Sequence, residues 1–278
     1  MTQRGADPSS ADVDAVYVFA VCDTRTPAGV AGLPGVPGGD AVRTLPFGEL
    51  TAVVQTVRAA DFTEEAWQAR LSDRQQLERY ARAHHHVVSA AAEAGPVVPL
   101  PLATLYHGEQ RARSALAAEA ARFRAVLERT ADHAEWGVKV YSTGSGGADR
   151  PDLPAGPAVT PGRPAERTSR PAPGAGLAYL ERKRGLRAER EQRQDAAIRA
   201  AETVDAEFQK VAAAARRLRS HAPELAGDRR VQVLNATYLV AKDRTDELGR
   251  LARTLEQSTG AQVELSGPWV PYSFVGEV

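Results

Sequence analysis

His84, His85 and His86 stand side by side in a strongly helical stretch, and a run of three histidines is the first place to look for metal binding or proton transfer. The spacing argues against a shared metal. Neighbouring helical side chains point about 100° apart, whereas a helix that grips one ion offers an i, i+4 pair. His107 and the single cysteine, Cys22, are distant in sequence. Only His84 falls on the apolar stripe, so the expectation is one histidine in the core and two in solvent. Cys22 lies in an apolar run and is expected to be a buried, inert thiol. "GSGGADR" from Gly144 follows a strand, where a phosphate loop would sit. It lacks the Gly-Lys-Ser/Thr ending and leads into a Pro-rich segment, so nucleotide binding is not expected. Glu64-Glu65 and Asp243, Asp246 and Glu247 mark helix starts, where the helix dipole accounts for them. No Gly-x-Ser-x-Gly elbow and no His-Glu-x-x-His occurs. No residue is assigned to catalysis, a cofactor or a metal.

The elements that would position these side chains read as an α+β chain of two domains, an N-terminal one over 13–133 and a C-terminal one over 134–278. Residues 1–12 are polar and expected to be disordered. "VDAVYVFAVC" is a buried strand, and "AVRTLPFGELTAVVQTV" is two strands around a turn near Phe47-Gly48. A helix capped by Thr63 runs to Ala94 and stops at Gly95-Pro96. "VVPLPLATLY" is a strand broken by prolines. A second helix covers about Glu109 to Thr130. "EWGVKVYST" alternates, with Trp136, Val138 and Val140 on one face. Residues 144–176 are rich in Pro and Gly and are expected to form a disordered loop.

A long charged helix is expected from about Leu177 to His221. Its first half is solvated, with arginines and glutamates at ion-pair spacing. Its second half carries the stripe Ile198, Ala201, Asp205, Phe208, Ala212, Ala215 and Leu218. Asp205 interrupts it, so part of the stripe is read as a partner surface, with Phe208, Ala212, Ala215 and Leu218 as candidate partner-binding residues. A strand at "RRVQVLNATYLVAK", a helix from about Asp243 to Thr259 and a strand from Ala261 follow. From Glu135 this order is ferredoxin-like with one strand missing or unrecognised.

Acidic and basic residues balance at 35 each, which argues against general affinity for nucleic acid or anionic membrane. The N-terminus has no apolar signal-peptide core, and no run reaches the ~18 apolar residues of a membrane span. A cytoplasmic location is expected. The tail "LSGPWVPYSFVGEV" is unusual for a chain end, because it carries Trp269, Tyr272 and Phe274. Alternation at Val263 and Leu265 reads as a closing strand, with Trp269 and Phe274 in the core and Pro268 and Pro271 at a sheet edge.

Six segments in order, "VYVFAV", "HHHVVSAAAEAGPVVPLPLATLY", "EWGVKVY", "GLAYLERKR", "VLNATYLVAK" and "LSGPWVPYSF", resemble the gas vesicle protein L/F (GvpL/GvpF) family. Trp136, Trp269, Tyr272 and Phe274 lie in the two most specific motifs. Pro101, Leu102 and Ala103 stand where the family carries Arg, Phe and Gly. The resemblance implies two α+β domains, the second a modified ferredoxin-like fold. It also implies an accessory protein of gas vesicle formation, not an enzyme. Its implied partners are the small hydrophobic shell protein and other accessory proteins. The competing readings are a small-ligand binder or enzyme on ferredoxin-like domains, using His84, His86 or His107, and a homo-oligomeric structural protein.

Overall fold

A computed structural model describes residues 14–23, 29–142, 175–219 and 231–276, without the side chains of 175–180, 182 and 190. The expected disordered N-terminus and all but the last two residues of the expected Pro/Gly loop lie outside the described residues.

Two antiparallel sheets organise the chain. The first contains β1 (Asp14–Asp23), β2 (Arg43–Phe47), β3 (Leu50–Arg58), β4 (Val97–Pro99) and β5 (Leu105–His107). Its order is β2-β3-β1-β4, with β5 also on β1. β1 is apolar along its length because both its faces are covered. On one face Tyr17 and Phe19 pack against Tyr80, Val87, Val88 and Ala91 of α2 (Arg74–Ala94). On the other, Val16 and Val18 meet Leu116 of α3 (Glu109–Ala118) and Phe123 and Val126 of α4 (Ala120–Thr130). The expected turn is present, with Gly48 at φ 62° between β2 and β3.

Local chemistry refines the expected boundaries. Thr63 caps α1 (Glu64–Ser72) through Ala66 N–H. The single helix expected up to Ala94 is two, because Asp73 breaks the chain and caps α2 by accepting from Gln75 and Gln76 N–H. Glu119 separates α3 from α4 in the same region where one helix was expected. The strand expected from Val97 to Tyr106 is likewise two short ones. Between them Ala103 sits at φ 64°, a conformation that costs a residue with a Cβ about 1–2 kcal/mol.

The second sheet is ferredoxin-like. It runs through β6 (His133–Ser142), α5 (Ala175–Val211), β7 (Ala214–Arg217), β8 (Val231–Ala241), α6 (Thr245–Thr259) and β9 (Gln262–Trp269). Strand order is β7-β8-β6-β9, every pair antiparallel. This is the full split βαβ arrangement, and β7 is the strand that the sequence pattern lacked. The expected helix to His221 is corrected here: α5 ends at Val211. "AAAARRLR" is strong helix-forming sequence, yet Ala213 N–H donates to Leu239 C=O and Leu218 N–H to Asn235 C=O. Pairing with β8 overrides local propensity. Phe208, Val204 and Ala201 of α5 and Leu248, Ala252 and Leu255 of α6 close the core against Val138, Val140, Ala236, Tyr238 and Val240.

Ala103→Gly is expected to raise stability by about 0.5–1 kcal/mol, the relief of the left-handed backbone less the extra freedom of glycine when unfolded. A urea titration checks it, and an unchanged midpoint would show that the turn is not strained.

Candidate functional site

The four candidate partner-binding residues do not share one helical face. Phe208 is 0% exposed and stacks near Tyr238 inside the chain's own core. Ala212 is half-buried just past the helix end. Ala215 lies on β7, and Leu218, 40% exposed, follows it. Among the described residues β7 is an edge strand, so these residues sit on an extended sheet margin rather than on a stripe.

Asp205, read from the sequence as a polar interruption, has internal partners. Its buried carboxylate accepts from Tyr238 Oη–H, from Gln209 Nε2–H at 3.0 Å and from Arg217 Nε–H at 2.9 Å. The network ties α5 to β8 and to the edge strand. Burial alone would push the carboxyl up. The hydrogen bonds from Tyr238, Arg217 and Gln209 outweigh burial and hold it below the ordinary aspartate value.

The histidines divide by environment. His84 is buried among Tyr17 and Phe19, with Nδ1 2.9 Å from Tyr17 Oη. Burial pushes its pKa down to about 4, so it is neutral in the core. His86 is exposed. His85, expected in solvent, is half-buried beside the rings of Trp269 and Tyr272. Cys22 is fully buried, and burial pushes its thiol up to about 12. Among the described residues no group of three His, Cys, Asp or Glu is placed to hold a metal ion, and no helix is long and apolar enough to cross a membrane.

The aromatic tail is where the chain departs most from expectation. β9 is the closing strand, as its alternation predicts. Glu135 pairs with Trp269 and Gly137 with Ser266, so the two most specific motifs are neighbours in the sheet. Trp136 is buried, and a Cβ on Gly267 would lie 2.9 Å from its ring and 3.0 Å from Glu135 C=O. A Cβ on Gly137 would meet Ser266 Oγ at 2.7 Å. Gly267 is therefore required by close approach, and a Cβ on Gly137 would displace the Ser266 hydroxyl. Trp269, expected in the core, is 49% exposed. The core residues of the tail come later. Val270 and Tyr272 pack against the β1–α2 core, and Val275 against the β1–α4 core. Phe274 is buried.

Residues 270–276 thus form a strap from the second sheet to the first. Its backbone is held from both sides. Ser273 C=O accepts from Arg216 of β7 at 3.0 Å, and Val275 C=O from Arg122 of α4 at 3.3 Å. Phe274 C=O accepts from Arg129 of α4. Ser273 donates its N–H, at 2.8 Å, and its hydroxyl to the buried carboxylate of Glu135. Burial raises the Glu135 carboxyl above its ordinary value, although the bonds from Ser273 and the charge of Arg216 oppose the shift.

A family model described as gas vesicle synthesis protein GvpL/GvpF matches residues 15–276. The chain belongs to the GvpL/GvpF family. It is similar to gas vesicle protein L of a Streptomyces species, with 36% identity over 266 residues, 94% of this chain and 92% of that protein. A shorter match to gas vesicle protein F of Haloferax mediterranei has 44% identity over 45 residues, 16% of this chain and 21% of that protein. Two crystal structures share the fold. GvpF from an Anabaena species has a TM-score of 0.62 at 13% identity, covering 95% of this chain and 97% of its own. GvpF from Microcystis aeruginosa has a TM-score of 0.59 at 12% identity, covering 95% and 99%. A role in gas vesicle formation follows from GvpL/GvpF membership, and the family is not a known enzyme class.

Two sets of variants test the site's energetics. Phe274→Ala is expected to cost about 3–5 kcal/mol, as large buried truncations do, and Trp269→Ala less than about 2 kcal/mol. Equal losses in a denaturant titration would contradict the placement. Because the folded pKa of Asp205 is depressed, its contribution is present above the ordinary aspartate pKa and lost as pH falls through the folded value. Asp205→Asn is expected to lose about 1–3 kcal/mol at neutral pH. The gap to wild type should shrink as pH drops below about 4. A gap that is flat from neutral to acid would refute the network.

Proposed function

We propose that this protein is an accessory factor of gas vesicle formation that binds the small hydrophobic shell protein and other accessory proteins during assembly. It acts by binding and uses no catalytic group, cofactor or metal. Its place is the cytoplasm and the growing vesicle. The observation that carries this reading is the family match across residues 15–276.

The physical task is clear. A shell protein with a very apolar face must hide that face, and any free strand edge, until it joins the wall. A partner can do so by lending a strand. The candidate contact in this chain is the margin formed by Ala212, Ala215 and Leu218. Among the described residues β7 pairs with β8 on one side only, and Leu218 offers exposed apolar surface beside it. Arg217 and Arg219 are exposed on the same margin, which discourages self-pairing of the edge while it is free. Phe208 supports the margin from within and does not touch a partner.

Retention of purified shell protein on the immobilised chain checks the reading. Wild type is expected to retain it. Leu218→Asp, on an exposed margin and so without loss of fold, should weaken retention by about tenfold, roughly 1.4 kcal/mol. Full retention by the variant would move the contact away from β7, and no retention by wild type would contradict the shell-binding role.

A further inference from the structure

α5 is far longer than the sheet beneath it requires. Among residues 181–196 every described side chain is exposed, and Ala197 is the first described side chain of α5 that is buried. The arm is mostly charged, with Leu186 58% exposed on it, so it gains little from packing within the chain. One face of this arm has an ordered charge pattern. Arg184, Arg187, Glu191, Asp195, Ile198 and Glu202 follow one another at steps of three or four residues, so they form a single stripe. All six are exposed, Ile198 at 44%. The stripe is basic at its start and acidic at its end, and it extends over about 27 Å of helix.

We propose that this stripe is a self-association surface, on which α5 of a second copy lies antiparallel about a two-fold axis. The charge order selects that occupant. With the axis near residue 189, Arg187 of one copy faces Glu191 of the other, and Arg184 faces Asp195 with a one-residue offset. Each contact occurs twice, as a two-fold requires. A parallel arrangement would place Arg on Arg and Glu on Glu. Within one chain Arg187 Nε already lies 3.0 Å from Glu191 Oε1. Pairing of two copies converts these lone surface pairs, weak by themselves, into a four-charge network across the dyad. The contact is at the small end of specific interfaces, below about 1,200 Å², so the dimer is weak, in the micromolar range, and sensitive to salt. This inference does not depend on the shell-protein reading.

Sedimentation equilibrium of the purified full chain tests it, with two double variants. Arg184→Glu/Arg187→Glu makes the four pairing positions acidic, and Glu191→Arg/Asp195→Arg makes them basic. All four sites are exposed, and circular dichroism of each variant checks that the helix persists. Wild type is expected to dimerise at low salt and to dissociate near 1 M salt, where charges are screened beyond about 3 Å. Each variant alone should be monomeric, and their equimolar mixture should recover a dimer. A wild type monomeric up to about 100 µM, far above a micromolar Kd, would overturn the proposal and leave the stripe to another partner or to solvent. Variants that dimerise like wild type, or a mixture that stays monomeric, would overturn it equally.

Discussion

Glu135 sets the terms for the junction of the two sheets. Its carboxylate is buried near the start of β6, and a buried carboxylate needs donors or it costs several kcal/mol. The donors come from Ser273, 138 residues further along the chain. To deliver them the strap must leave β9, cross the junction and lie where Phe274 is buried and where Arg122, Arg129 and Arg216 reach its carbonyls. Together these bonds hold the seven residues of the strap between α4 and β7. The raised pKa marks the cost of the arrangement. Because burial raises the carboxyl relative to the unfolded chain, this group's contribution is greatest below the ordinary glutamate range and is lost as pH rises through its folded value.

The strap also explains why the most specific sequence motifs lie where they do. Gly267 and Gly137 admit the Trp136 ring and the Ser266 side chain at distances that no Cβ allows. The register of β9 on β6 shifts between Ser266 and Trp269, so Trp269 ends the strand at the surface beside His85 and the following residues reach the first sheet. The opposite margin of the second sheet is organised by Asp205. Its bonds to Tyr238 and Arg217 anchor β7 and leave the outer edge of that strand free of any partner strand among the described residues. A buried acid thus stands behind each margin, one closing the junction and one presenting an edge.

Much of the fold was legible because it follows from local rules. The apolar run of β1, the Thr63 cap, the Gly48 turn and the alternation of β6 and β9 each carry their own signal. The family resemblance rested on motifs that prove to touch in space. What could not be read depended on distant partners. β7 is written in alanine and arginine, helix formers held as a strand by pairing with β8. The stripe around Phe208 was recognised by its period, but period does not say whether a face meets its own sheet or a partner. Asp205 looked like an interruption because its partners, Tyr238 and Arg217, lie 33 and 12 residues away. The alternation of Val263 and Leu265 points Trp269 to the core, whereas the register of β9 shifts between Ser266 and Trp269.

The central claim is that the strap couples the two sheets, and native-state hydrogen exchange on a chain ended at Trp269 tests it most directly. In the full chain the slowest amides of β1–β3 and of β6–β8 are predicted to open with one common free energy. In the shortened chain they are predicted to separate, with both lowered. Common, unchanged protection of the two sheets after removal of residues 270–278 would contradict the account.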